Sequence, residues 1–532
     1  MPPPEPPPEP RRRAGILVPL FSIPSSRSWG IGEIGDIAAV ARWLAEAGQG
    51  VLQLLPINET PPGETSPYSA LSAMAIDPQF ISLGDCEDFQ AIGGEAALDP
   101  PTRARLDAVR SAARIDYPEV RALKQQALRS AFACFRDHVC GGRSLAEAQS
   151  AKAEGLREFI HAERWWLDDY ALYRALHAHY DERHWMAWPA PLRDREESAL
   201  AAARIDLADE MIFRQYVQWI ATTQWQAARA AAAPVALFGD LPFMVGGDSA
   251  DVWARQGHFD LQASVGVPPD AFSEDGQDWG MPVYRWDVLA ARDYDWLHDR
   301  ARRNADLYGG YRVDHLVGFY RTYFRPLDGS APQFTPADQP SQVALGERAL
   351  GIFRERGSEI IAEDLGVVPD FVRESLLRLG VPGYKVFRWE REWNEPGQPF
   401  REPAEYTAIS VATSGTHDTE PLAVWWESAP AEEREAVLAI PSIRARLEAG
   451  SGVSADLDAM LAALYLSGSD LLILPLQDVF GWRDRINQPA TVSDANWTWR
   501  LPWPTDRLAD QPEARAVAAK LKAWTSEGHR SG

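Results

Sequence analysis

A (β/α)8 TIM barrel with large, mainly helical insertions is the fold class that the sequence predicts. Three observations predict it: eight short apolar segments read as strands, helical patterns separate most of them, and acidic residues close strand after strand. A doubly wound parallel sheet is the alternative arrangement of the same elements.

The first strand is Ile16 to Phe21, followed by a Ser/Pro loop and Gly30-Ile31-Gly32. Asp36 then caps a helical pattern built from Ile37, Val40, Ala41, Leu44 and Ala47 and ended by Gly48. Val51 to Pro56 is the second strand, and strand, helix, strand at this spacing marks parallel pairing. From about Pro100 to Ala233 the text turns Ala-rich, charged and helical, with aromatics repeated as in Trp165-Trp166-Leu167-Asp168-Asp169-Tyr170. A connection this long needs secondary structure of its own, so residues from about 85 to 232 form a helical insertion in one βα connection. Strand signals return at Val235 to Leu241, Tyr311 to Asp314, Glu359 to Glu363, Gly383 to Arg388, Ala408 to Thr413 and Leu471 to Leu476, which completes the eight. Gln342 to Arg356 and Pro369 to Leu379 are helical patterns between them. The catalytic barrel is expected to span residues 14–532, with 1–13 a Pro-rich disordered tail closed by Arg11-Arg12-Arg13. No apolar segment follows that charge cluster, so the tail is not a signal peptide.

Composition narrows the partners. With 45% hydrophobic and 24% charged residues over 532 positions, the chain can bury a large core. A net charge of -23 repels nucleic acid and anionic membrane, which leaves a neutral substrate as the natural partner. Cys86, Cys134 and Cys140 have neither disulfide nor metal spacing, and no apolar run reaches the roughly 18 residues of a membrane span. A reducing compartment, by default the cytoplasm, is expected. The 21 Trp serve the core for the most part, and a surplus of indoles suits flat, neutral, hydroxyl-rich ligands such as sugars. Neither a phosphate-binding glycine loop nor a paired-histidine zinc motif is present.

Barrel enzymes place their chemistry at the carboxyl ends of the strands. Those positions carry Gly239-Asp240, Asp314-His315, Glu363-Asp364 and, after a short loop, Thr416-His417-Asp418. Focusing carboxylates into one mouth costs stability through repulsion, which favours a functional reason. Helix N-capping is the alternative for Asp364 and Asp240. In Gly310-Tyr311-Arg312-Val313-Asp314-His315, Arg312 and Asp314 lie two apart and share a strand face. A cation beside a carboxylate keeps it charged and well placed, as a nucleophile requires; a strand-end salt bridge is the structural alternative. Glu363, reached through Glu359-Ile360-Ile361-Ala362, ends an apolar strand, a setting that disfavours charge and suits an acid. One carboxylate plus one carboxylic acid is the equipment of glycosidic bond chemistry. Asp418 is left to hold sugar hydroxyls as positive charge develops.

These residues resemble the α-amylase clan of glycoside hydrolases, and more closely its amylomaltase branch, the 4-α-glucanotransferases of glycoside hydrolase family 77. Beyond the clan-wide Arg312-Val313-Asp314-His315, the branch-specific pieces are Gly239-Asp240-Leu241-Pro242-Phe243 with Asp248-Ser249-Ala250-Asp251-Val252-Trp253, and Pro268-Pro269-Asp270-Ala271-Phe272-Ser273 running into Gly276-Gln277-Asp278-Trp279-Gly280. Ala362-Glu363-Asp364-Leu365-Gly366 and Gly415-Thr416-His417-Asp418 follow in the family's order, and Trp185-Met186-Ala187-Trp188-Pro189 in the insertion is also similar to it. The resemblance implies Asp314 as nucleophile, Glu363 as general acid/base and Asp418 as transition-state stabiliser. It implies substrate contacts from Arg312, His417, Asp240 and His315, and from Ser66 and Tyr68 in Ser66-Pro67-Tyr68, with Tyr68 stacking on the sugar. Asp270, Gln277 and Trp279 would lie on a loop covering the glucan, and Asn487, near Arg485, would be the last contact. Core packing is the alternative for Tyr68 and Trp279, and a turn role for Asn487.

The same resemblance implies a retaining transfer of α-1,4-glucan segments between maltose, malto-oligosaccharides and amylose, through a covalent glucosyl-enzyme, by a monomer or homodimer with no metal or organic cofactor. An α-glucan hydrolase with the same three acids, or a non-catalytic glucan-binding protein, are the alternatives. The chain departs from the family's pattern at Thr60-Pro61-Pro62-Gly63-Glu64, from Arg325 to Gln339 and at Thr419-Glu420-Pro421, which bears on donor length and acceptor preference.

Overall fold

The structure, a computed structural model, describes residues 12–269, 276–447, 453–489, 491 and 493–530. Its strands in chain order are β1 (Arg13–Leu17), β2 (Val51–Gln53), β3 (Ala236–Leu241), β4 (Phe259–Val267), β5 (Gln277–Tyr284), β6 (Gly310–Val313), β7 (Thr322–Pro326), β8 (Gln333–Thr335), β9 (Glu359–Ala362), β10 (Gly383–Val386), β11 (Ser410–Thr413) and β12 (Leu471–Pro475). Eight of them close a parallel barrel in the order β1-β12-β11-β10-β9-β6-β3-β2, and these are the eight expected. The doubly wound alternative is thereby set aside. Parallel strands buried on both faces read as unbroken apolar runs, and Leu471-Leu472-Ile473-Leu474 in β12 does so with every residue buried.

Two features differ from expectation. β1 begins before Ile16: the Arg13 N–H donates to the Asp470 carbonyl at 2.8 Å and Arg13 pairs with Leu471, so Arg13 belongs to the barrel and not to the tail. More consequentially, β4, β5, β7 and β8 form a four-stranded antiparallel sheet between barrel strands, where no strand was expected. Its sequence conceals it. Register shifts in β4 against β5 break the two-residue alternation, and β5 contains Gly280, in the left-handed region, and Pro282.

Between β2 and β3 run the helices Pro100–Ser111, Tyr117–Cys134, Ala151–His179, Glu197–Asp206 and Ala208–Ala232. Side chains of Ala151–His179 grip both loops that leave the barrel here. Glu59, after β2, accepts from Tyr170 Oη and from Arg174 Nε at 3.1 Å. Asp248, after β3, accepts from Tyr173 Oη at 2.8 Å and lies 3.1 Å from His177 Nε2. The first of these loops carries Ser66 and Tyr68, so the helical segment holds part of the barrel mouth in place.

Candidate active site

Register places the acids. Val313 pairs with Ala362, so the next residues, Asp314 and Glu363, leave neighbouring strands side by side at the barrel's carboxyl end. Asp240 pairs with Arg312 across β3 and β6, and the ring of Tyr308 packs over Gly239, where a Cβ would collide with it.

Arg312 lies between two carboxylates, with Nη1 2.6 Å from Asp240 Oδ2 and Nη2 2.7 Å from Asp314 Oδ1. The Asp240 side chain is 0% exposed and that of Arg312 7%, so this ion pair fixes geometry more than it adds stability. Burial, opposed by Arg312 and reinforced by Asp314, pushes the Asp240 carboxyl up to about 6. Tyr68 Oη donates to Asp240 Oδ2 at 2.7 Å and lies 3.1 Å from His417 Nε2, with the two rings stacked at 5.5 Å. Burial and the neighbouring Asp240 carboxyl hold the Tyr68 phenol neutral.

Glu363 accepts from two backbone amides, His315 N at 2.8 Å and Leu365 N at 3.0 Å. Burial still pushes it up to about 7, with Arg312 pulling down and Asp314 pushing further up. His315, at φ +42°, turns the chain so that its own N–H faces this carboxyl. Burial lowers its imidazole to about 4, and the ring sits edge-on to Trp279 at 4.9 Å.

Asp418 is more open than Asp314 or Asp240, its side chain 40% exposed. Its Oδ1 accepts from Asn487 Nδ2 at 2.6 Å and its Oδ2 lies 3.3 Å from His417 Nε2. Against partial burial, which opposes charge, His417, the Asn487 hydrogen bond and Arg312 hold it well below the usual carboxylate range. Polar contacts thus run from Asp418 through His417, Tyr68 and Arg312 to Asp314, with Glu363 on the adjoining strand.

The remaining expected residues fall as follows. Ser66 Oγ accepts from Tyr68 N at 3.4 Å and supports that loop. Trp279 Nε1 donates to Gln277 Oε1 at 3.1 Å on β5. Asp270 lies outside the described residues. Neither candidate N-cap acts as one: Asp364 accepts from Tyr384 N at 2.7 Å and Asp240 is bound up with Arg312 and Tyr68. Two residues of the site were not expected. Arg485 Nη2 donates to the Asp418 carbonyl at 2.6 Å, and Trp497 packs against Tyr68 and His417 at 5.9 and 5.8 Å. The signals for them were the short run Arg485-Ile486-Asn487 and the alternating Trp497-Thr498-Trp499. Thr419 and Glu420, where the chain departs from the family, close the loop locally: Thr419 Oγ1 accepts from Thr416 N at 3.0 Å and Glu420 binds Arg388 at 2.8 Å. Among the described residues no group of three or more His, Cys, Asp or Glu could hold a metal ion.

A closed parallel barrel with acids gathered at its carboxyl end, one of them pushed towards neutrality, is the architecture of the (β/α)8 enzymes. The chain belongs to the 4-α-glucanotransferase family, glycoside hydrolase family 77, whose family model matches residues 18–506. It is 34% identical to a 4-α-glucanotransferase of Thermus thermophilus over 510 residues, covering 92% of this chain and 95% of that one. It is 31% identical to one of Chlamydia pneumoniae over 521 residues, covering 95% and 94%. Among solved structures, an amylomaltase from Streptococcus agalactiae in complex with acarbose superposes with a TM-score of 0.80 at 27% identity, covering 98% of this chain and all of that one.

Proposed function

We propose that the protein moves α-1,4-glucan segments between malto-oligosaccharides and amylose by a retaining double displacement, with Asp314, Glu363 and Asp418 as the acting acids. The reading rests above all on Glu363: its carboxyl is half-buried beside Asp314 on the neighbouring strand and is pushed up to about 7. An acid in that state can protonate a leaving oxygen near neutral pH. Asp314, oriented by Arg312, attacks the anomeric carbon, so that the glycosidic bond breaks as a covalent glucosyl-enzyme forms and Glu363 gives its proton to the departing 4-oxygen. Glu363 then takes the proton from the 4-hydroxyl of an incoming glucan, which displaces Asp314. Asp418, held ionised by His417 and Asn487, binds sugar hydroxyls near the reacting carbon as it becomes positive. Arg312, His417, Asp240 and Tyr68 shape the site at the cleavage point, with Ser66 supporting Tyr68. Gln277, Trp279 and His315 line its sheet side, where excluding water favours a sugar acceptor.

The catalytic unit in this proposal spans residues 13–532, helical insertion included, and works in the cytoplasm, a compartment that suits three free thiols. Incubation with maltotriose is the test. Glucose together with a ladder of longer oligomers is expected, and the Asp314→Asn variant should lose activity by a factor on the order of 10⁴. A drift to short sugars alone would identify a hydrolase, and a ladder from Asp314→Asn would remove the nucleophile assignment.

A further inference from the structure

Two segments run from the catalytic mouth to a second, open hollow. In the first, Asn487 and Arg485 hold Asp418, while Asp484 and Trp482, a few residues back, line the hollow. The second begins at Trp497, packed on Tyr68 and His417, and continues into Trp499, Arg500 and Trp503, which also line it. The hollow has a volume of about 720 Å³, within the range of small-molecule sites.

Its walls have two characters. On one side the indoles brace one another: Trp482 stacks on Phe480 at 4.2 Å, stands edge-on to Trp503 at 5.6 Å and lies 5.9 Å from Trp499. Trp482 and Trp503 are only half-buried, so indole surface already fixed in place faces water. Around it stand guanidinium groups held by backbone carbonyls. Arg500 Nη1 donates to Val109 O at 2.8 Å and to Ala112 O at 2.9 Å, and Arg114 Nη1 donates to Ala495 O at 3.2 Å. A guanidinium carries five N–H groups, more than these bonds use.

A preformed aromatic platform ringed by fixed donors matches a sugar, whose C–H faces lie on indoles while its hydroxyls accept at the rim. An anionic ligand fits less well, because Asp484 shares the rim and Arg110 is already paired with Glu95 at 2.8 Å. We infer that the hollow is an accessory α-glucan site, which holds the part of a long chain lying beyond the cleavage point. This rests on the proposed transferase reading of the mouth, since both segments lead there. It assigns Trp482 and Trp503 a role in substrate length, separate from the chemistry.

The test compares steady-state kinetics on amylose and on maltotriose for wild type, Trp503→Ala, Trp503→Phe and Ala113→Trp, the last filling the hollow from its lining without removing an aromatic. In Trp503→Ala and Ala113→Trp, KM for amylose should rise about tenfold with kcat and KM for maltotriose unchanged, and Trp503→Phe should keep most of the wild-type value. An unchanged KM for amylose, or an equal rise for both substrates, overturns the site. The transferase reading is scored separately, by the wild-type ladder from maltotriose. If no ladder forms, equilibrium binding of maltoheptaose decides: weakening by Trp503→Ala supports the hollow, and an unaltered isotherm overturns it.

Discussion

In the barrel mouth each acid is held by named partners: Asp314 by Arg312, Glu363 by two backbone amides, Asp418 by His417 and Asn487. On the sheet side, Trp279 has a hydrogen bond to Gln277 and an edge contact with His315. The mouth is built from parallel strands in strict register, whereas the sheet carries register shifts in the very pair of strands that bears Gln277 and Trp279. On the proposed mechanism the difference separates two tasks. Bond-making needs charge fixed to a fraction of an ångström and belongs on the barrel. The choice between water and sugar as acceptor needs a wall that can admit and cover a glucan, and the proposal gives it to the sheet.

After Asp314, the largest effect expected on the barrel side is from Glu363. Glu363→Gln should lower kcat by about 10³-fold, with most of the loss recovered on a substrate whose leaving group needs no proton. The wild-type pH profile carries the same information. The free enzyme must hold a proton on Glu363, and with its carboxyl near 7 the protonated fraction shrinks above that pH, so kcat/KM should fall about tenfold per pH unit on the alkaline side. A profile flat to pH 9 would deny Glu363 the acid role and weaken the contrast between mouth and sheet. Next comes Asn487, a positioning residue that acts through Asp418. Asn487→Ala should cost about ten- to a hundredfold in kcat, the range of a hydrogen bond to a charged group. It also removes one of the groups holding Asp418 low, so the Asp418 carboxyl rises. A kcat within about twofold of wild type would reduce Asn487 to a turn residue.

Legibility followed the same division. The eight barrel strands are legible in the sequence: β12 is the unbroken apolar run of a strand buried on both faces, and in β6 the spacing of Arg312 and Asp314 puts both on one face. The acids could be found because they sit where such runs stop. The sheet left no comparable trace: β8 has three residues, β5 carries Gly280 and Pro282, and the pairing of β4 slips against its neighbour. Nor could Trp497 be distinguished among 21 tryptophans, since its place against Tyr68 and His417 is set by chain segments far apart in sequence.

The smallest expected effect is the one that bears most directly on the sheet. Trp279 touches His315, whose backbone amide holds Glu363, so its ring stands one residue away from the acid and adds no charge to it. Trp279→Ala should therefore leave total turnover of maltotriose within about threefold of wild type and leave the alkaline limb set by Glu363 where it is. What should move is the partition: free glucose and shortened chains, scored against the ladder, should rise a few-fold as water gains access to the glucosyl-enzyme. If the partition stays constant while turnover collapses, Trp279 belongs with the barrel's fixed machinery. The acceptor would then be chosen by the mouth itself, on the Asp418 and Asn487 side, and the two-region division would fail.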